Sequence, residues 1–268
     1  MLNINTNYAA AFAAKAAKST NSALNTSFER LSSGSRINFA KDDAAGQGIA
    51  TRLSAEIISL KMASRNAADA QAMIDTAEAA HQEVHSMLLR MRELAVQAAN
   101  GTLGTADNAA LNEEINALEK EIKSISDNTT FAGKNINTSV QTVFQVGTAS
   151  ANTLTVTFKD FDTSAIGADV GLTTADTARA ALTKIDAAIS TISTRRGELG
   201  AASNRLSSVI ANLDNISVNL ASARGRIQDT DFAVETSNLA KSQIMQQAAT
   251  AMLAQANASK QTVLALIQ

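Results

Sequence analysis

Between residues 60 and 98 the apolar positions fall at alternating steps of three and four. Leu60, Ala63, Ala67, Ala70, Ile74, Ala77, His81, Val84, Leu88, Met91, Ala95 and Ala98 form one seam with a single polar occupant, His81. That period marks a helix burying one stripe, and its many alanines let a neighbouring helix approach closely. The pattern predicts a helix over 49–99, roughly 75 Å long at 1.5 Å per residue. A second seam runs through Leu182, Ile185, Ile189, Ile192, Leu199, Ala202, Leu206, Val209, Leu213, Ile216, Leu220, Ala223 and Ile227, with Arg196 as its polar occupant. It predicts another long helix from near 174, locally overwound at the Leu199–Ala202 step.

Between the two seams, "NGTLGT" (100–105) ends the first helix, and Leu111, Ile115, Leu118, Ile122 and Ile125 predict a shorter one over 106–127. "DNTTFAGKNI" (127–136) reads as a turn. The period then changes to two, with Thr142, Phe144 and Val146 and later Leu154, Val156 and Phe158 alternating with polar residues. With Gly147 between the runs, this predicts a β-hairpin.

The chain ends carry thinner patterns. Ile4, Tyr8, Phe12, Leu24, Phe28 and Leu31 recur on a four-residue spacing completed by Ala16 and Thr20. A helix with so slight a stripe is marginal alone, because helices in water depend on packing. At the other end, "RGRIQDTDF" (224–232) breaks the second seam. An alanine- and glutamine-rich helix containing Leu253 follows and ends in "VLALI", with Val263, Leu264, Leu266 and Ile267. The layout is a near-mirror. It predicts a mostly α fold, an elongated antiparallel helical bundle or coiled coil from both chain ends with a small β-hairpin insert at about 137–170. Residues 1–42 with 228–268 are expected to form a terminal-helix domain, and 43–227 a helical rod.

The segment "LSSGSRINFAKDDAAGQGIA" (31–50) fits neither flanking pattern. Its glycines and Asx residues permit a change of direction that a continuous helix forbids. Asp42 and Asp43 precede a helical run, where carboxylates can cap free N–H groups. Arg36, Lys41 and Arg52 are the expected charge partners.

Composition sharpens this picture. The 268 residues include no proline and no tryptophan, and aromatics make up 3%. Average usage predicts about 13 prolines, so the strongest helix breaker has been left out. Net charge is −2 with 23 basic and 25 acidic residues well mixed, which argues against nucleic-acid or membrane-surface binding. Without cysteine there are neither disulfides nor thiolate sites. No stretch is long and apolar enough for membrane insertion. The apolar "YAAAFAA" (8–14) precedes Lys15 and Lys18 instead of following positive charge, so a cleaved secretory signal is not expected. His81 and His85 share a helix face, but "HQEVH" is not the metalloprotease spacing, and a structural role is expected over a metal. No nucleophile–base set or phosphate loop is present, so neither enzyme nor cofactor is expected. "NTS" (137–139) fits the glycosylation triplet, a pattern common by chance.

"LSSGSRINFAKDDAAGQGIA" closely resembles the N-terminal signature of bacterial flagellins. "RELAVQAANGT" (92–102), "TTFAGKNI" (129–136), "ARGRIQDTDFAVE" (223–235) and "QIMQQAATAMLAQAN" (243–257) resemble further flagellin segments in the family's order. The resemblance covers nearly all of 1–136 and 175–268 and implies a minimal form without large outer domains. It implies a structural, secreted subunit that polymerises into the flagellar filament, with inner terminal helices, an outer shell of seam helices, and residues 32–48 as the spoke. It implies terminal helices that order only on assembly. The implied self-assembly residues are Ile4, Tyr8, Phe12, Leu24, Phe28, Leu31, Arg36, Asp42, Asp43, Leu253, Val263, Leu264, Leu266 and Ile267. Implied partners are further copies, the flagellar export apparatus and its chaperone, and the cap and hook–filament junction proteins. The flagellin-sensing Toll-like receptor of vertebrates is also implied, through Arg90, Leu94 and Glu114. Within the family the alternative is a hook–filament junction protein, and outside it a coiled-coil adaptor.

Overall fold

The computed structural model describes residues 6–137, 139 and 141–265, with 260–265 described by backbone alone. The elements run α1 (Tyr8–Ser33), α2 (Ala44–Ala98), α3 (Thr105–Asn128), β1 (Thr130–Phe131), β2 (Lys134–Asn135), β3 (Gln141–Gln145), β4 (Thr153–Thr157), α4 (Thr163–Ile166), α5 (Ala175–Gln228) and α6 (Phe232–Ala265). The fold is mostly α with two small antiparallel strand pairs. It divides into two compact units, Met1–Ile57 with Asn219–Gln268, and Ile58–Val218.

In the second unit all twelve positions of the α2 seam are buried. Val84, Leu88, Met91 and Leu94 pack with Ile115 and Ile122 of α3 and Ile185 and Ile192 of α5 in one cluster. Ala67, Ala70, Ile74 and Ala77 pack with Leu199 and Leu206 of α5 and Leu154 and Val156 of β4 in another. A polar layer lies between the clusters. There Arg196 Nε bonds Glu78 Oε1 at 2.8 Å, and the buried His81 meets the Phe161 ring edge-on at 4.7 Å. Pairs such as Arg92–Asp186 and Gln71–Ser207 descend along α5 as they climb α2, so the two helices are antiparallel.

Three expectations change. The fully buried stripe of α5 is Ala178, Ala181, Ile185, Ala188, Ile192, Leu199, Leu206 and Leu213. Leu182 and Ile189 only flank it, packed part-buried against the cluster that holds Leu88, Met91 and Ile115. The α5 helix also runs unbroken to Gln228, so the break shrinks to 229–231. Finally, the turn-like 127–136 holds a hairpin of its own, β1–β2. Ala132 and Gly133 at φ 50° and 78° give the twist that a two-residue hairpin turn needs. The expected hairpin is β3–β4, with Phe144 opposite Leu154 and Thr142 opposite Val156. After it, α3 holds an extended segment by side-chain acceptors. Asn112 Oδ1 and Glu119 Oε1 accept the backbone N–H groups of Leu172 and Val170 at 2.7 and 2.9 Å.

In the first unit α1 and α6 pair antiparallel. Asn7 Nδ2 donates to the Ala256 carbonyl at one end, and Ser27 meets Glu235 at the other. Asn7 also caps α1 by accepting from Ala10 N, and Gly34 ends the helix in the left-handed region at φ 69°.

Candidate assembly surfaces

The α1–α6 contact is a seam of small side chains. On α1 the less exposed positions include the row Ala10, Ala13, Ala17, Thr20, Leu24, Ser27 and Leu31, with Ala16, Thr26 and Arg30 beside it, and on α6 they are Glu235, Leu239, Ser242, Gln246, Ala249, Leu253 and Ala256. The α1 row and the α6 set step by three and four, the period of a coiled-coil seam. The four-residue stripe read from the sequence therefore splits. Leu24 and Leu31 face α6, as does Leu253 from the other side. Tyr8, Phe12 and Phe28 stay outside, with Phe12 at 76% and Tyr8 at 69% exposed. A spacing of four drifts around the helix, whereas a contact seam must average 3.5. On α6, Phe232, Val234, Ile244, Met245 and Met252 are exposed too. An open apolar groove of about 430 Å³ runs along the pair, bordered by Phe12, Met245 and Met252. Ile4, Leu266 and Ile267 lie outside the described residues, and so do the side chains of Val263 and Leu264.

The joint is held by backbone pairing. Ser35 bridges Asp229, Thr230 N donates to the Gly34 carbonyl at 3.0 Å, and Arg36 N donates to Gln228 O at 2.6 Å. The Arg36 guanidinium bonds the Ile227 carbonyl at 2.7 Å, so it caps the end of α5, and among the described residues it has no carboxylate partner of the kind expected. The two aspartates also divide their work. Asp43 caps α2 by accepting from Gly46 N at 2.8 Å. Asp42 does not cap it. Its Oδ2 accepts from Phe39 N and Asn38 N at 3.0 and 3.2 Å, closing a turn. The Phe39 N–H bond holds the Asp42 carboxyl below its usual range, against some desolvation and helped by the Asn38 N–H and Lys41. Lys41 itself sits 4.8 Å from the Phe39 ring centre, and Arg52 is exposed.

The second surface lies on α2 and α3. Arg90 Nε and Nη2 both bond Glu114 Oε1, at 2.9 and 2.7 Å, and Nη1 bonds Glu93 at 3.0 Å. These bonds, Glu114's first, raise the Arg90 pKa. Both side chains are about half exposed, at 50% and 44%. Leu94 does not join them. It is 1% exposed and packed in the core, so the expected surface anchor is a structural residue. It occupies a helix position one turn from Arg90, but rotated toward the three-helix interior. Exposed Leu89 and Val96 are the apolar side chains that α2 presents to solvent nearby.

The sequence reading missed Ser27 and Glu235, the buried polar pair of the α1–α6 seam. Their signal was the three–four register itself, hidden because polar and small residues occupy it.

The match to the bacterial flagellin N-terminal helical region covers residues 4–142, and that to the C-terminal helical region covers 182–267. The chain belongs to the bacterial flagellin family. It is 45% identical to a flagellin of Halalkalibacterium halodurans over 90% of each chain. A flagellin of Bacillus subtilis is 39% identical over the full length of both. The crystal structure of Bacillus cereus flagellin covers 60% of this chain and 94% of its own at 33% identity, with a TM-score of 0.52. A putative flagellar hook-associated protein from Vibrio parahaemolyticus shares the fold at 16% identity and a TM-score of 0.62, covering 70% of this chain and 100% of its own. Flagellins are structural subunits of the flagellar filament and not enzymes, and this chain is a small member. Only residues 143–181 separate the two matched regions. No described helix is long and apolar enough to cross a membrane.

Proposed function

We propose that this flagellin is a secreted filament subunit for swimming motility that polymerises through α1 and α6. One observation carries the reading: the α1–α6 seam is closed by small side chains, while Tyr8, Phe12 and Phe28 on α1 and Ile244 and Met252 on α6 remain exposed. Exposed apolar side chains of this kind, with Phe12 and Met252 on the rim of one groove, mark an interaction site, and burial among further copies would offset the ordering of two thin helices. In this reading residues 1–42 with 228–268 build the inner layer and 43–227 the outer one. The joint at 32–48 is the spoke between them, with Arg36, Asp42 and Asp43 fixing its path.

The chain is then delivered by the flagellar export apparatus with a chaperone on the C-terminal helix, and it meets cap and hook–filament junction proteins in the filament. A proline-free chain would avoid slow X–Pro isomerisation when folding at the growing tip. The free subunit is also read as a ligand of the flagellin-sensing Toll-like receptor. Arg90 and Glu114 supply the polar surface, and Leu94 supports it from within.

The test is seeded polymerisation of purified protein, followed by light scattering and electron microscopy, beside chains lacking 1–30 or 235–268. Long tubes from the intact chain alone support the mechanism. Small closed oligomers unaffected by either truncation would overturn it in favour of a junction collar or adaptor.

A further inference from the structure

Asn100–Gly101 is the one place in the chain where glycine follows asparagine. It lies just beyond α2, and both residues are exposed. An asparagine side chain can be attacked by the main-chain nitrogen of the next residue. This requires that the nitrogen be free of hydrogen bonds, that no Cβ crowd it, and that the backbone lie outside a helix. All three conditions meet here. Asn100 N donates to Gln97 O at 3.2 Å and Asn100 O accepts from Leu103 N at 3.3 Å, closing a turn. The Gly101 N–H inside that turn makes no hydrogen bond among the described residues. Asparagines inside the helices are excluded, because the following N–H is tied to the preceding turn.

We propose that Asn100 is a site of spontaneous self-modification. The Gly101 nitrogen gives up its proton to solvent base and forms a bond to Asn100 Cγ. The bond from Cγ to the side-chain nitrogen breaks, and that nitrogen leaves as ammonia. Water then opens the cyclic imide at either carbonyl, giving aspartate or isoaspartate. The balance is one water consumed and one ammonia released, with no change of oxidation state. The product places a new carboxylate at the C-terminal end of α2, whose last turn holds no basic side chain. Negative charge there opposes the helix dipole. The isoaspartate product also lengthens the main chain inside the Asn100–Leu103 turn. The modification thus loosens the α2–α3 connection as the protein ages.

The experiment incubates the folded full chain at mildly alkaline pH in heavy-oxygen water and maps peptides by mass spectrometry. A urea-unfolded sample and the variants Gly101→Ala and Asn100→Gln run in parallel. Gly101→Ala is a clean control: an added Cβ meets nothing within 4 Å, and the glycine does not hold a left-handed φ. The expected result is heavy oxygen in the Asn100 peptide of folded wild type, split between aspartate and isoaspartate. Conversion should be about tenfold slower in Gly101→Ala, where a side chain restricts ring closure, and absent in Asn100→Gln. Equal rates in wild type and Gly101→Ala would overturn the proposal. So would a folded chain that stays intact while the unfolded chain converts, since the turn would then be protecting the site.

Discussion

Ser27 Oγ donates to Glu235 Oε1 at 2.5 Å across the α1–α6 seam, although the two lie 208 positions apart in the sequence. Arg30 Nη1 stands 3.8 Å from the other carboxylate oxygen. Glu235 is only 6% exposed, and a polar residue at a seam position specifies register at some cost in stability. With alanines repeated along both helices, apolar packing alone would tolerate a slide by one heptad. The carboxylate would not, since it would lose both partners. Ser27→Ala is expected to weaken the pair by about 1–3 kcal/mol, the cost of a buried acceptor left unsatisfied. Hydrogen exchange of α1 and α6 amides in assembled protein reads this directly. Adding Glu235→Leu should regain most of the lost protection, as apolar replacement of a buried polar pair commonly does. A double variant as weak as the single one would place the loss elsewhere.

Two glycines two residues apart in the same sequence signature should respond oppositely to alanine. A Cβ on Gly46 would stand 2.7 Å from Ile37 Cδ1 and collide with the Asp43 carboxylate that caps α2. Gly46→Ala is therefore expected to cost about 1–3 kcal/mol through overpacking and loss of the cap. Gly48 lies inside α2 with nothing within 4 Å of its added Cβ. Gly48→Ala should stabilise by up to about 1 kcal/mol from helix propensity. Thermal unfolding of the two variants beside wild type tests the pair. The same sign for both would contradict the assignment of Gly46 as a close-packing position.

Most of the architecture could be read from periodicity because seam and burial are the same physical fact. Every α2 position from Leu60 to Ala98 at the three–four steps is buried, including His81. The reading faltered where residue size and contact part company. On α5 the sequence favoured Leu182 and Ile189, yet Ala181 and Ala188 sit deeper, in the cluster filled by Leu88, Met91 and Ile115. On α1 the large side chains Tyr8 and Phe12 drew the eye away from Ala13 and Ser27, which hold the real contact. Leu94 shows the same limit at the second surface. Glu93 before it is exposed and Ala95 after it is buried, and three-dimensional packing puts Leu94 on the inward side of that boundary.

His81 makes the second unit acid-sensitive. Burial lowers its pKa below 6.5, opposed by the bond to the Ala77 carbonyl and by Glu78, and reinforced by Arg195 and Arg196. The carbonyl can only accept, so Nδ1 carries the proton of the neutral ring at 2.7 Å. The folded state thus holds neutral histidine, and the unfolded chain takes up a proton as pH falls through 6.5. The unfolded state binds more protons below that value, so stability declines with acidification. His81→Leu should remove this part of the slope. Denaturant midpoints measured on either side of pH 6.5 for both proteins decide it, and identical slopes would show that other groups set the acid limit.

Arg90 and Leu94 should fail for different reasons. Arg90→Ala deletes an exposed guanidinium whose pairing with Glu114 contributes little to stability at such exposure. Its thermal stability should stay close to wild type while receptor activation by the free subunit falls. Leu94→Ala opens a cavity in the three-helix core and should cost about 2–5 kcal/mol. Unfolding curves beside a Toll-like receptor reporter assay separate the two. Wild-type activation by a folded Arg90→Ala protein would count against the receptor surface, and an unchanged melting point for Leu94→Ala against the packing.

Phe12 and Ala13, adjacent on α1, face opposite duties. Phe12 is 76% exposed and touches the rim of the apolar groove, whereas Ala13 is 6% exposed against α6. Phe12→Ser removes apolar surface that stays in water in the single chain. It should therefore leave the fold of the free subunit unchanged and raise the protein concentration needed for seeded growth. About 1.5–3 kcal/mol per fully buried side chain sets the scale, or roughly a tenfold shift or more. Ala13→Leu instead forces a branched side chain into a seam spaced for alanine, which separates α1 from α6 whatever surrounds them. Its polymers should form poorly and lose exchange protection along both helices. Measuring critical concentration and exchange together distinguishes the outcomes. Normal growth of Phe12→Ser would remove Phe12 and the groove it borders from the assembly mechanism.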